Sequence, residues 1–193
     1  MNSKPMAGRI VRLVVAGATG ILLVGPSEAT AQQRTTVCSA ANFLAQPGAA
    51  TQPTMIAYST LSFTNPNPGA SLVIDSITVF DRNGHQLCAF AEGNPLPVKA
   101  FDPARIFDFT EPLGPNQTLN IMTARLPCIP WPVVSSASAN DIMGTLTVRV
   151  AWSSDREGKS VSALLGGVSV VYADIATGRY DATRTLQCSE VWP

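Results

Sequence analysis

The stretch from Leu61 to Phe90, LSFTNPNPGASLVIDSITVFDRNGHQLCAF, constrains the fold more than any other part of the chain. It reads as strand, turn, strand, tight hairpin, strand. Ile77–Phe80 and Gln86–Phe90 flank Asp81-Arg82-Asn83-Gly84-His85. An Asn-Gly pair tolerates positive φ at both central positions, which a type I′ turn requires, and the twist of that turn matches the strands it joins. A hairpin of that type is therefore expected at Asn83-Gly84. In the strand before it, Leu72 and Ile74 share one parity while Ile77 and Val79 share the other. One face can bury both sets only if an extra residue intervenes, which predicts a β-bulge near Asp75-Ser76. Upstream, Asn65-Pro66-Asn67-Pro68-Gly69 is dense in turn formers.

Further strands are expected over Met55–Thr64, with Leu61 and Phe63 as the inward pair, and over Ala104–Thr110 and Thr118–Leu126. Thr145–Trp152 alternates cleanly, and Val161–Tyr172 and Tyr180–Gln187 follow, with a bulge or bend expected at Gly166-Gly167. The prolines of Pro127–Pro132 remove ladder donors and keep that segment out of a central strand. The expected core is Phe63, Ile74, Ile77, Val79, Phe107, Ile121, Leu146, Val148, Val150, Val168 and Val170, with Trp152 beside it. No sustained helical period occurs after the first thirty residues or so. About seven to nine short strands separated by turn signals give an all-β fold, an antiparallel immunoglobulin-like β-sandwich, with a barrel or jelly roll as rival closures.

Residues 1–31 read as a cleavable signal peptide. Lys4, Arg9 and Arg12 precede an uncharged apolar run, Leu13 to Val24, and Ala29-Thr30-Ala31 forms a small-residue cleavage site. That run is shorter than the roughly twenty residues that span a bilayer, so no stable membrane span is expected once it is removed. Residues 32–54, rich in Ala, Gln, Thr, Pro and Gly, are expected to form a weakly ordered N-terminal arm, and 55–193 the β-sandwich domain. Without the signal, ten basic and twelve acidic residues remain, a net charge of −2. With no Lys/Arg cluster, nucleic acid is a poor partner. Four cysteines remain: Cys38, Cys88, Cys128 and Cys188. An even number on an exported chain implies two disulfides, in any of three pairings. Cys88–Cys128 with Cys38–Cys188 is favoured because the second bridge would tie down both tails. No C-x-x-C occurs and there is one histidine, so no metal site and no cofactor are expected.

The search for catalytic groups yields little. His85 flanks the hairpin turn and reads as solvated. The nearest approach to a nucleophile elbow, Gly167-Val168-Ser169-Val170-Val171, lacks the second glycine and lies within a strand. No nucleotide-binding glycine loop is found. Asp102, Asp108 and Glu111, or Asp155 and Glu157, are near in sequence, but a glycosidase needs two carboxylates facing each other across a cleft. Trp131 sits between Pro130 and Pro132. It reads either as a plug for one end of the sandwich or as a docking ring. Together with Arg156 and Lys159 in the charged connection Ser153–Lys159 it forms the candidate binding set. Asn116-Gln117-Thr118 matches a glycosylation sequon, which matters in a eukaryotic secretory pathway.

The order Asn65-Pro66, strand, Asp81-Arg82-Asn83-Gly84, Leu113-Gly114-Pro115-Asn116-Gln117, Val148-Arg149-Val150-Ala151-Trp152-Ser153 resembles that of small exported bacterial β-sandwich proteins of unknown function. The resemblance covers about Leu61 to Val171, lies mostly in turn chemistry, and excludes the cysteines. It implies an immunoglobulin-like sandwich and supplies no activity or site. The expected function is a non-enzymatic exported module, periplasmic or secreted, that binds a protein or glycan of the cell envelope. Alternatives are a fimbrial-type assembly subunit, suggested by the N-terminal arm, and a glycan hydrolase using Asp108 and Glu111.

Overall fold

The structure, a computed structural model, describes residues 33–46, 52–97, 106–135, 145–154 and 161–191. The signal peptide expected over 1–31 lies outside them. In chain order the strands are β1 (Arg34–Gln46), β2 (Met55–Thr64), β3 (Leu72–Phe80), β4 (Gln86–Ala91), β5 (Leu96–Pro97), β6 (Ile106–Phe107), β7 (Thr118–Met122), β8 (Val133–Ser135), β9 (Thr145–Ser154), β10 (Leu165–Asp174), β11 (Tyr180–Gln187) and β12 (Ser189–Val191). The described residues contain no α-helix, only a 3₁₀ turn at Thr123–Arg125. One set of neighbours runs β4–β3–β9–β1–β12; the other runs β11–β10–β2, with β7 and the end of β1 side by side along the far edge of β2. These pairings are antiparallel; β8 lies parallel to the end of β1, and β5 and β6 pair separately.

β1 belongs to both sheets. Arg34–Ala41 pairs with Trp152–Thr145 of β9, whereas Asn42–Ala45 pairs with Tyr58–Met55 of β2. Within the segment 32–54 expected as an arm, where Thr35–Ser39 offered a short strand, the longest element is a 13-residue strand with neighbours on both sides. The small residues Ser39, Ala40 and Ala41 gave a weak strand signal. Strand formation here is decided by the ladders on either side and by the need for little bulk where the chain passes between sheets, more than by intrinsic propensity. The loose arm that suggested an assembly subunit is in this respect an integral strand of its own fold.

Alternate residues of both sheets meet in one core: Leu61 and Phe63 from β2, Ile121 from β7 and Val168 from β10 face Ile74, Ile77 and Val79 from β3 and Val148, Val150 and Trp152 from β9. Every residue of the expected core is buried except Phe107, which is partly buried and packs against the cluster. Trp152 is completely buried, and its indole N–H donates to Thr36 Oγ1 at 3.0 Å, so its one polar group is satisfied. The bulge expected near Asp75-Ser76 is present: the β3–β9 register shifts between Ile74 and Ser76, which lets both parities of β3 reach the core.

Three local expectations are corrected. At the β3–β4 hairpin only Gly84 has positive φ, at 82°, while Asn83 does not. Gly84 N–H donates to Asp81 O at 3.1 Å and Asp81 N–H to His85 O at 2.9 Å. The connection is thus a three-residue loop, an ordinary turn followed by a left-handed glycine, and not type I′. Asp81 selects it, because its carboxylate accepts the N–H groups of both Asn83 and His85 at 2.8 Å. At Gly166-Gly167 the β10–β2 register is unbroken; the shift in β10 falls against β11 at Tyr172/Ala173. Finally, β7 ends at Met122 and the chain turns through Thr123–Arg125, whose Thr123 Oγ1 accepts the N–H of Ser59 at 2.9 Å.

The disulfides join Cys38 to Cys188 and Cys88 to Cys128. The first ties β1 to the residue between β11 and β12; the second ties β4 to the loop after the 3₁₀ turn. A buried amide pair holds the turn after β2. Asn65 Nδ2 lies within 2.8–3.1 Å of the carbonyls of Ala70, Leu113 and Gly114, and Asn65 Oδ1 accepts from Asn67 N–H and Nδ2. Asn67 in turn exchanges two bonds with the backbone of Ser162. Residues that read as turn formers are also polar staples.

Candidate functional site

The outward face of the second sheet follows directly from strand register. In β2 the odd-numbered residues from Ala57 to Phe63 are buried, so Ile56, Tyr58, Thr60, Ser62 and Thr64 point away from the core. Pairing then builds rows across the face. Val133, Leu44, Ile56, Ala173 and Tyr180 form one. Asn42, Tyr58 and Val171 form the next. Met122, Thr60, Ser169 and Thr185 form a third, and Asn120, Ser62, Gly167 and Gln187 a fourth. Thr118, Thr64 and Leu165 close the series. None of these positions carries a charge. One end of the face is apolar and aromatic; the other is a field of hydroxyls and amides bordered by exposed Leu165.

Side-chain bonds fix the polar end. Ser62 Oγ donates to Asn120 Oδ1 at 2.7 Å, and the Thr64 and Thr118 hydroxyls lie 2.8 Å apart. Gly167 leaves a notch between Ser62 and Gln187, since a Cβ built there meets nothing within 4 Å. At the aromatic end Tyr180 is 68% exposed. Desolvation and a hydrogen bond with Tyr180 raise the Tyr58 hydroxyl above the ordinary tyrosine range, against the opposing pull of nearby Arg125. Asn42, opposite Tyr58, is 1% exposed; its Nδ2 donates to Pro130 O at 3.0 Å, and its Oδ1 has no hydrogen-bond partner among the described residues.

Trp131 lies along the same edge. Pro130 O accepts from Asn42 and Pro132 O accepts from Leu44 N–H at 2.9 Å, so the proline-bracketed segment runs beside β1, with Trp131 half-buried. Arg156 and Lys159, the other two members of the candidate set, lie outside the described residues, as do Asp102, Asp155 and Glu157. His85 is exposed beside Asp81, its Nδ1 3.2 Å from Asp81 Oδ2. Asp108 spends one carboxylate oxygen on the N–H and hydroxyl of Thr110, and its backbone carbonyl accepts from Glu111 N–H at 3.2 Å. Those two acids therefore share one exposed turn. Asn116 of the sequon is exposed in a turn with φ of 59°.

The uncharged face was not singled out from sequence. Its signal is present, because alternate positions of Met55–Thr64, Thr118–Met122 and Leu165–Asp174 lack charge, but only the register joins them. In comparisons with protein-family models, curated proteins and solved structures, nothing matches the chain.

Proposed function

We propose that this chain is a non-enzymatic binding module of the immunoglobulin-like sandwich class, exported to the periplasm or beyond the cell, where it engages a component of the envelope. The observation that carries the reading is the outward face of the second sheet, where charge-free rows meet an exposed tyrosine. Exposed sheet faces of soluble proteins ordinarily carry charged side chains, and a broad face without them favours contact over solvation. Two disulfides are consistent with an oxidising compartment. Two sheets around one core, with β1 passing between them, support the sandwich class.

The test is cosedimentation of the purified mature protein with envelope fractions of its own cell. Saturable binding that weakens by about tenfold or more in Tyr180→Ala supports the reading, a loss of about 1.4 kcal/mol. No saturable binding, or binding that Tyr180→Ala leaves unchanged, overturns it. Thermal melting shows whether the variant remains folded; Tyr180 is exposed and its removal opens no core cavity.

A further inference from the structure

We infer that the outward face of the second sheet takes a neutral glycan, with sugar hydroxyls over the rows of Thr60 and Ser62 and an apolar ring face against Tyr180. This rests on the binding-module reading and names its partner class.

The chemistry favours a sugar over other partners. A saccharide offers many hydroxyls, which donate and accept, and patches of C–H that pack on aromatic rings. The face offers hydroxyls and amides of the same dual character at Thr60, Ser62, Asn120 and Ser169, and a ring at its aromatic end. An anionic polymer or lipid surface would require clustered cations, and the rows contain none. Protein hot spots centre on Trp, Tyr and Arg with Ser and Thr depleted, the reverse of the polar rows. The absence of charge from the rows matches an uncharged ligand, because within them no ion has to be stripped of water when the surfaces meet; Arg125 borders the face near Tyr58.

Two features go beyond composition. The notch at Gly167 lies amid the hydroxyl field, with space above the backbone and bonding groups on both sides. Asn42 Oδ1, buried in the row of Tyr58, is an acceptor without a donor among the described residues. Leaving such an atom unpaired forfeits its desolvation energy, and a ligand hydroxyl entering beside Trp131 would supply the bond.

The experiment titrates the intact mature protein with cellohexaose, maltohexaose and N-acetylchitohexaose, with a galacturonate hexamer as the charged control, by calorimetry. The expected result is saturable binding of at least one neutral hexamer, with an affinity unchanged as salt rises from about 0.05 M to about 0.5 M, since screening acts on charge. Gly167→Leu fills the notch and Ser62→Lys introduces a charge; each weakens binding by about tenfold or more. Both side chains point outward, and melting temperatures confirm folding. No binding of any neutral hexamer overturns the inference, as does binding that neither variant weakens or that only the galacturonate shows. Self-association abolished by Ser62→Lys also overturns it, because a second copy then covers the face. If envelope fractions bind while the neutral hexamers do not, the glycan inference fails and the binding module stands; if neither binds, both fail.

Discussion

Gly166 of β10 lies directly against Cys188. A Cβ built on Gly166 would stand 2.7 Å from Cys188 Cβ, 2.8 Å from its Sγ and 3.2 Å from Thr36 Cγ2. The contact is reinforced by the backbone, as Cys188 N–H donates to Gly166 O at 3.0 Å. Because Cys188 is bonded to Cys38, its sulfur cannot swing aside. The glycine pair in β10 therefore serves close approach on one face and openness on the other.

The two glycines should respond oppositely to the same substitution. Gly166→Ala drives a methyl into the disulfide and should destabilise by about 1–3 kcal/mol, the usual cost of overpacking. Gly167→Ala meets nothing within 4 Å and has no positive φ to relieve, so it should be neutral or slightly stabilising. Urea unfolding of both variants checks this; equal effects would remove the steric account.

The two disulfides should differ in worth. Cys38–Cys188 spans 150 residues and Cys88–Cys128 spans 40. On the chain-entropy model the longer loop contributes about 1 kcal/mol more. Replacing each pair by serines and measuring denaturant midpoints tests the order. A larger loss on removing Cys88 and Cys128 would place the stabilisation in local packing of β4 instead of loop closure.

Much of this fold was legible in sequence, for identifiable reasons. The boundaries of β2 and β11 follow the runs Met55–Thr64 and Tyr180–Gln187, and the parity slip in β3 revealed its bulge, because strand burial has a period of two. Where pairing partners set the outcome, local pattern failed. β1 runs well past Thr35–Ser39 through the small residues Ala40 and Ala41, whose strand character depends on β9 and β2. The hairpin at Asp81 was decided by a side chain capping two N–H groups, which outweighed the Asn-Gly preference. The candidate face was invisible for a related reason. Each strand shows a few uncharged positions, and only alignment of β7, β2 and β10 makes them a surface. Trp131 was found through its prolines, but its place beside Asn42 required the fold.

Asn65 should be the most sensitive polar residue. It is fully buried, and its amide serves three carbonyls and two donors from Asn67. Asn65→Ala strands these groups and should cost about 3 kcal/mol, since each unpaired buried group forfeits its desolvation energy. Asn65→Asp keeps the acceptor but loses the donors, and should be about as damaging. Denaturant unfolding checks both; a loss under about 1 kcal/mol in either would show that solvent replaces the network.

Acid should loosen the turns through their aspartates. The Asp174 carboxyl is held below the usual carboxylate range first by the N–H of Thr177 at 2.7 Å, then by its hydroxyl at 2.8 Å. Asp108 is lowered in the same way by the hydroxyl and N–H of Thr110. At Asp81 desolvation opposes the shift, but the backbone N–H groups of His85 and Asn83, together with the His85 side chain, outweigh it. A carboxyl whose folded pKa lies below its unfolded value contributes stability above the unfolded value, about 3.9 for aspartate. That contribution disappears as pH falls through the folded value. The melting temperature should therefore drop on acidification below about pH 4–5 and level off once the folded carboxyls are protonated. Asp174→Asn retains a side-chain oxygen for Thr177 but cannot titrate, so its melting temperature should fall less steeply over the same window. A slope identical to that of the parent protein would mean that the Thr177 bonds do not distinguish the charged from the neutral carboxyl.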